Sequence, residues 1–116
     1  MTPALLTEFS LYLDLLALSL EGGLDFSVSL KELIHMNPHS QVSQRLEYLL
    51  TQLALGHSKK EALLMFQKTW GHPFIQNFCQ TVLYGWKQGI SISHLLKEQA
   101  DTIRTETILQ MERNIQ

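Results

Sequence analysis

Three glycines recur at intervals of 33 residues, and each opens the same short pattern. The three are Gly23, Gly56 and Gly89. Two residues after each glycine stands a side chain of a type that caps helix N-termini: Asp25, Ser58 and Ser91. Apolar residues occupy the positions three before and seven after each glycine. A fixed period of about 20 to 50 residues is typical of packed supersecondary units. The pattern therefore predicts a helical scaffold and argues against a catalytic site as the main function.

Apolar residues between these glycines recur at three- and four-residue steps, which indicates amphipathic helices. In the helical segment that follows Gly23, Val28, Leu33 and Ile34 are predicted to face inward. No alternating strand pattern is present in the sequence. We predict an all-α fold, a six-helix antiparallel bundle built from three helical hairpins. The predicted helical segments are 3–21, 25–36, 40–55, 58–70, 73–87 and 91–116.

The best local signal for a helix start is the run from Ser58 to Glu61. Its spacing predicts a capping box, in which the serine oxygen accepts the amide of Glu61 and the glutamate reaches back to the amide of Ser58. Gly23, Gly56 and Gly89 are predicted to supply the positive φ that a helix C-terminal turn requires. These residues are predicted to be structural, because they delimit helices.

The last helix loses apolar residues toward its end. Ile103 belongs to its better covered part, whereas Ile108, Met111 and Ile115 are separated by polar residues. A helix of this kind leaves the body of a domain or requires another chain to cover it. We therefore predict an interface that uses Ile103, Ile108, Met111 and Ile115.

Composition restricts the classes of partner. The 116 residues suffice for one domain, 1–116, and carry a net charge of only −2, which disfavours nucleic acid. Residues 1–47 hold six acids against two bases, and residues 48–87 hold four lysines against one acid. This asymmetry marks either a partner surface or separately solvated faces. The single cysteine, Cys79, lies among apolar residues, which predicts a buried side chain and a reducing compartment. No uninterrupted apolar run approaches the roughly 18 residues of a membrane span.

We predict no catalytic residue, no cofactor site and no metal site. The five histidines lack zinc-ligand spacing, since Pro38 interrupts the pair His35 and His39. Glu21 and Asp25 could bind a hard cation together, but two carboxylates are few for such a site. Asp25 is also explained as a helix cap. Trp70 and Trp86 are interpreted as core residues, with a partner anchor as the alternative.

Five segments of the chain resemble the type II secretion system F family domain. Residues 13–25 are similar to its leucine-rich opening, which ends in Gly-Gly-Leu-Asp here. Residues 53–63 resemble its Leu-x-x-Gly-x-Ser-x-x-Glu-Ala-Leu segment, and residues 69–78 resemble its Thr-Gly-x-Pro connector with Trp70 inserted. The closing motifs, Gly-Ile-Ser-Ile at 89–92 and Gln-Ala-Asp-Thr-Ile-Arg at 99–104, look most like the platform proteins of tight-adherence (Tad) pili.

The resemblance implies an inner-membrane platform protein of a Tad or type IV pilus or of a type II secretion assembly. The domain would lie on the cytoplasmic face of the bacterial inner membrane, excised from its flanking transmembrane helices, and would not be an enzyme. Its implied partners are a secretion ATPase, a homologous platform subunit and pilin or other assembly components, with a homodimer expected. One departure is Thr105-Glu106-Thr107, which stands where family members carry a basic run.

Two other classes compete with this interpretation. A soluble tetratricopeptide-like adaptor would suit the 33-residue period, but the Trp-x-x-Leu-Gly-x-x-Tyr pattern of that repeat is missing. A small helical enzyme or metal protein would need a cluster of reactive side chains, which the sequence does not offer.

Overall fold

The computed structural model describes residues 1–115 and contains six α-helices within that range, with no strand. The prediction of an all-α fold is confirmed. The helices are α1 (Pro3–Glu21), α2 (Phe26–Met36), α3 (Gln41–Ala54), α4 (Lys59–Trp70), α5 (Pro73–Gln88) and α6 (Ser93–Ile115).

The helix α1 begins where Thr2 and Pro3 predict it. The Thr2 hydroxyl accepts the Leu5 amide at 3.1 Å, and Pro3 supplies the φ of the first turn. The helix has 19 residues, and an 18-residue window within it has a mean hydropathy of 1.4, so it is long and apolar enough to cross a membrane by composition. Here it is a core helix that buries Phe9, Leu13 and other apolar residues. The mean hydropathy of this window is high although polar residues interrupt its apolar runs.

The helices form a closed ring. Each helix packs against the next one along the chain, and α1 also packs against α6 and α3. The contact between α1 and α6 is the most extensive one. The α2–α3 and α4–α5 contacts are comparable with those inside the predicted hairpins. The arrangement is therefore better described as a ring closed by α1 and α6 than as three separate hairpins.

An aromatic cluster fills the centre of this ring. Phe9 of α1 meets Phe78 of α5 edge-on, with 5.6 Å between ring centroids, and meets Trp70 of α4 at 5.5 Å. Phe66 adds a third fully buried ring from α4. Aromatic pairs at these separations favour tilted or edge-on geometry. One side chain from α1 thus connects the core to both α4 and α5.

The remaining candidates from the sequence also lie in or beside this core. Trp86 is partly buried and meets the ring of Phe26 edge-on at 5.0 Å, which agrees with its interpretation as a core residue. Cys79 is buried, and its Sγ lies 3.6 Å from the carbonyl oxygen of Leu63. Burial raises the pKa of the Cys79 thiol to about 12, so the thiol stays protonated at neutral pH.

Candidate functional site

The three repeated glycines end α1, α3 and α5 in left-handed conformations. Their φ angles are +89° for Gly23, +95° for Gly56 and +63° for Gly89. In the first turn, the Leu24 amide donates to the Ser19 carbonyl at 3.1 Å, which satisfies an acceptor that the helix leaves free. An equivalent backbone hydrogen bond, which also joins residues five apart, closes each of the other two turns. The 33-residue period is thus a repeat of one helix-ending turn.

These three turns lie at the same end of the ring. Asp25 and Ser91 line one depression of about 240 Å³ between the first and third turns. The second turn is close as well, since the Lys59 ammonium lies 4.9 Å from the centroid of the Trp86 ring. The structure therefore brings the repeated cap residues together at one end of the molecule.

Asp25 and Ser58 each start a helix. The Asp25 carboxylate accepts the Ser27 amide at 3.0 Å, and the Ser58 hydroxyl accepts the Glu61 amide at 3.1 Å. Hydrogen bonding lowers the pKa of Glu61. The bond with the Ser58 hydroxyl has the largest effect, and bonds with His57 and the Ser58 backbone add to it. Glu61 is thereby held ionised at the positive end of α4, where a carboxylate is favoured.

Ser91 lies at the third turn but does not start α6 as the sequence predicted. The helix begins at Ser93, and its first backbone bond runs from the Leu96 amide to the Ile92 carbonyl at 2.9 Å. The Ser91 hydroxyl instead lies 3.4 Å from the Ser93 hydroxyl. The physical reason is Ile92, which is only 7% exposed and is buried before the helix starts.

The burial of Ile92 depends on Gly85, a residue that the sequence analysis did not single out. Gly85 is buried inside α5, and a Cβ added to it would overlap Cγ2 of Ile92. A glycine inside a helix lowers its stability relative to alanine, so such a glycine usually has a packing reason. The Tyr-Gly-Trp sequence within a predicted helix was the signal available.

Charged side chains join α1 to α6. Arg104 donates to Asp14 at 2.7 Å and to Asp101 at 2.5 Å. Lys97, nearer the start of α6, pairs with Glu21 at the end of α1. The hydrogen bond that Arg104 donates to Asp14 is the main reason that the pKa of Arg104 is raised. Because the two ion pairs advance in opposite directions along the two helices, α1 and α6 are antiparallel.

The segment at 99–104 also contacts α5. The Gln99 amide donates to the Thr81 hydroxyl at 2.5 Å and to the Asn77 carbonyl at 3.4 Å. Ala100 is fully buried between these polar contacts. This segment therefore connects α6 with two neighbouring helices.

The predicted interface at the end of α6 is corrected at one position. Ile103 is 1% exposed and belongs to the core, because it packs inside the ring. Ile108 is 55% exposed, and Met111 and Ile115 are exposed as well. The large apolar residues that α6 exposes thus lie beyond Thr107.

No group of three or more His, Cys, Asp or Glu side chains converges as a metal site within residues 1–115. The two carboxylates considered for a cation have other contacts, since Glu21 pairs with Lys97 and Asp25 caps α2. The geometry of the described chain is that of a packed scaffold with exposed faces.

The family model described as type II secretion system (T2SS), protein F matches residues 12–116. The match includes all three glycine turns and the Gln-Ala-Asp-Thr-Ile-Arg segment. Searches of curated proteins and of solved structures returned no match. The ring closure between α1 and α6 agrees poorly with the tetratricopeptide alternative, because the units of a solenoid contact only their neighbours.

Proposed function

The chain belongs to the type II secretion system protein F family, and we propose that it is the cytoplasmic domain of an inner-membrane platform protein. Members of this family are structural proteins of secretion and pilus assemblies. In our proposal the domain contacts a secretion ATPase and a homologous platform subunit, and it transmits ATP-driven movement to pilin subunits. The observation that carries this proposal is the family match over residues 12–116.

The architecture is compatible with such a mechanical role. A body that transmits movement must keep its shape when force is applied at one face. The ring is closed by its first and last helices, by the Arg104–Asp14 ion pair and by the Lys97–Glu21 ion pair. The first and last helices therefore support each other instead of fraying independently.

We further propose that the assembly is a Tad pilus and that the domain works as a homodimer. The Tad assignment is supported by the similarity of residues 89–92 and 99–104 to Tad platform proteins. The dimer is supported by the exposed apolar residues at the end of α6, among them Ile108, Met111 and Ile115. An isologous contact between two copies would cover this surface.

The proposal is tested by deleting the gene in the source bacterium and restoring it with or without the segment 12–116. We expect the restored gene to recover surface pili and the truncated gene to fail. Loss of pili with normal protein secretion supports the Tad assignment, and loss of secretion with normal pili replaces it with a secretion role. Normal pili and normal secretion without the segment would refute the platform function.

A contact with the ATPase is tested separately, by site-specific photo-cross-linking in cells that carry the restored full-length gene. A cross-linker at exposed positions of the end that carries the Gly23, Gly56 and Gly89 turns should capture the ATPase of the same assembly. A cross-linker at Gln44, on the exposed surface of α3 toward the opposite end, is the control. Equal capture from both positions would contradict a specific contact at that end.

A further inference from the structure

A shallow groove runs between α4 and α5, on a face that the proposed function does not use. It encloses about 180 Å³, and its apolar lining consists of Leu63, Leu64, Cys79 and Leu83. Leu64 is 46% exposed, and it adjoins the other apolar residues of the lining. The half-exposed Tyr84 lies next to this lining on α5. The groove therefore presents apolar surface to the outside.

Both helices that form the groove carry lysines, and Lys60 belongs to its lining. Lys60, Leu64 and Lys68 follow one another at four-residue steps, so the three side chains form one stripe along α4. Lys87 adds a cation near the end of α5. Among residues 1–115, no carboxylate lies within ion-pair distance of these three lysines, whereas Lys97 is paired with Glu21.

The region offers almost no compensating acid. Residues 48–87 contain four lysines and one acid, a net charge of +3. That acid, Glu61, is engaged at the start of α4 with Ser58 and His57. The sequence left open whether the charge asymmetry marks a partner surface or a solvated face. An apolar groove within the lysine-rich region favours the partner surface.

We propose that this groove binds an acidic amphipathic helix of a partner protein. Leucines on one face of that helix would cover Leu64 and Leu83, and its carboxylates would pair with Lys60 and Lys68. These two lysines are eight residues apart, about 12 Å along α4, which corresponds to two turns of a bound helix. A nucleic acid fits less well, because it requires many phosphate contacts and no apolar floor.

The inference is tested with the 116-residue chain and two synthetic peptides of about 16 residues, a length at which a helix can form in water. One peptide carries leucines at i, i+4 and i+7, flanked by glutamates. The other has the same leucines and lysines in place of the glutamates. Amide NMR shifts report the binding position. We expect only the acidic peptide to bind and to move the amides of residues 60–68 and 76–87.

Charge reversal at the groove is the main variant test. Lys60→Glu combined with Lys68→Glu should weaken binding of the acidic peptide at least about tenfold, because like charges then face each other. The control is Lys31→Glu combined with Arg113→Glu, which changes the net charge equally at exposed positions outside the groove. An equal loss of binding in both double variants would overturn the proposal, since it would indicate a general charge effect.

The apolar contribution to peptide binding is tested with a matched pair of leucine variants. Leu64→Gln should weaken binding several-fold and leave the thermal midpoint nearly unchanged, because the side chain is half exposed. Leu18→Gln, at a 62% exposed leucine of α1, should leave binding unchanged.

Equal binding of the acidic and basic peptides would overturn the inference. So would concentration-dependent shifts of the groove amides without peptide, which would identify a second copy as the occupant. Neither result bears on the platform function, which the pilus and secretion assays test.

Discussion

At the scale of single residues, the turn after α1 contains two adjacent glycines with different backbone conformations. Gly22 has a right-handed φ of −73°, and Gly23 has a left-handed φ of +89°. Gly23→Ala should lower the free energy of unfolding by about 1–2 kcal/mol, because the added Cβ disfavours left-handed backbone. Gly22→Ala should change it by less than about 0.5 kcal/mol. Urea unfolding of both variants measures the difference, and equal losses would contradict this account of the turn.

The contact between Gly85 and Ile92 leads to a second prediction at this scale. Gly85→Ala should destabilise the chain by about 1–3 kcal/mol through overpacking, although alanine is the better helix former. In the Gly85→Ala background, Ile92→Ala should cost less than it does in the wild type, because it removes the overlapping methyl group. In a double-mutant cycle, the loss of stability in the double variant should therefore be smaller than the sum of the two single losses. Additive effects of the two changes would contradict a direct contact between Gly85 and Ile92.

At the scale of the helix, the start of α5 depends on a titratable cap. Nδ1 of His72 accepts the Phe74 amide at 3.1 Å, which requires an unprotonated nitrogen. Burial, followed by the positive N-terminus of the chain, lowers the pKa of His72 below its usual 6.5. A lowered folded-state pKa means that this contribution to stability is present above pH 6.5 and is lost as the pH falls through the folded pKa.

We therefore expect the stability of the wild type to fall more steeply between about pH 7 and 5 than that of His72→Asn, which keeps a capping side chain but does not titrate. His39→Asn, at an exposed histidine between α2 and α3, is the control and should retain the wild-type slope. The measurement is the free energy of unfolding in urea across this pH range. Identical slopes for the wild type and His72→Asn would contradict a role for the cap.

Most helix ends, although not the start of α6, could be predicted from the sequence because their causes are local. Thr2, Ser58 and Gly71 bond to backbone groups within a few residues of themselves, so the local sequence already contains both partners. The face that a helix buries is less local. Val28 was predicted to face inward and is 40% exposed, whereas Phe26 and Ser29 are buried. In this short helix, contacts with α1 and α3 decide which side turns inward.

At the scale of the whole molecule, the contacts that close the ring join the two ends of the chain. Asp14 and Arg104 are 90 residues apart, and nothing in the sequence around Asp14 distinguishes Arg104 from the other cations. The ring closure and the position of Gln99 against Thr81 therefore had to come from the structure. The same holds for the groove between α4 and α5, since the sequence shows its lysines but not the depression between them.

Closure of the ring also decides which part of α6 stabilises the fold and which part is free to bind. Ile103 and Ile108 are the same residue type on the same helix, with exposures of 1% and 55%. Ile103→Ala should lower the free energy of unfolding by about 2–5 kcal/mol, because it leaves a cavity in the core. Ile108→Ala should change it by less than about 0.5 kcal/mol.

Self-association should respond in the opposite way. In sedimentation equilibrium, Ile108→Ala should weaken any concentration-dependent dimer, because it removes apolar surface that only a second molecule can cover. Gln110→Ala, a change at an exposed polar position of the same turn, serves as the control and should leave the dimer unchanged. A loss of several kcal/mol from Ile108→Ala in dilute, monomeric protein would mean that the end of α6 is already covered within one chain. In that case it would belong to the ring rather than to an interface.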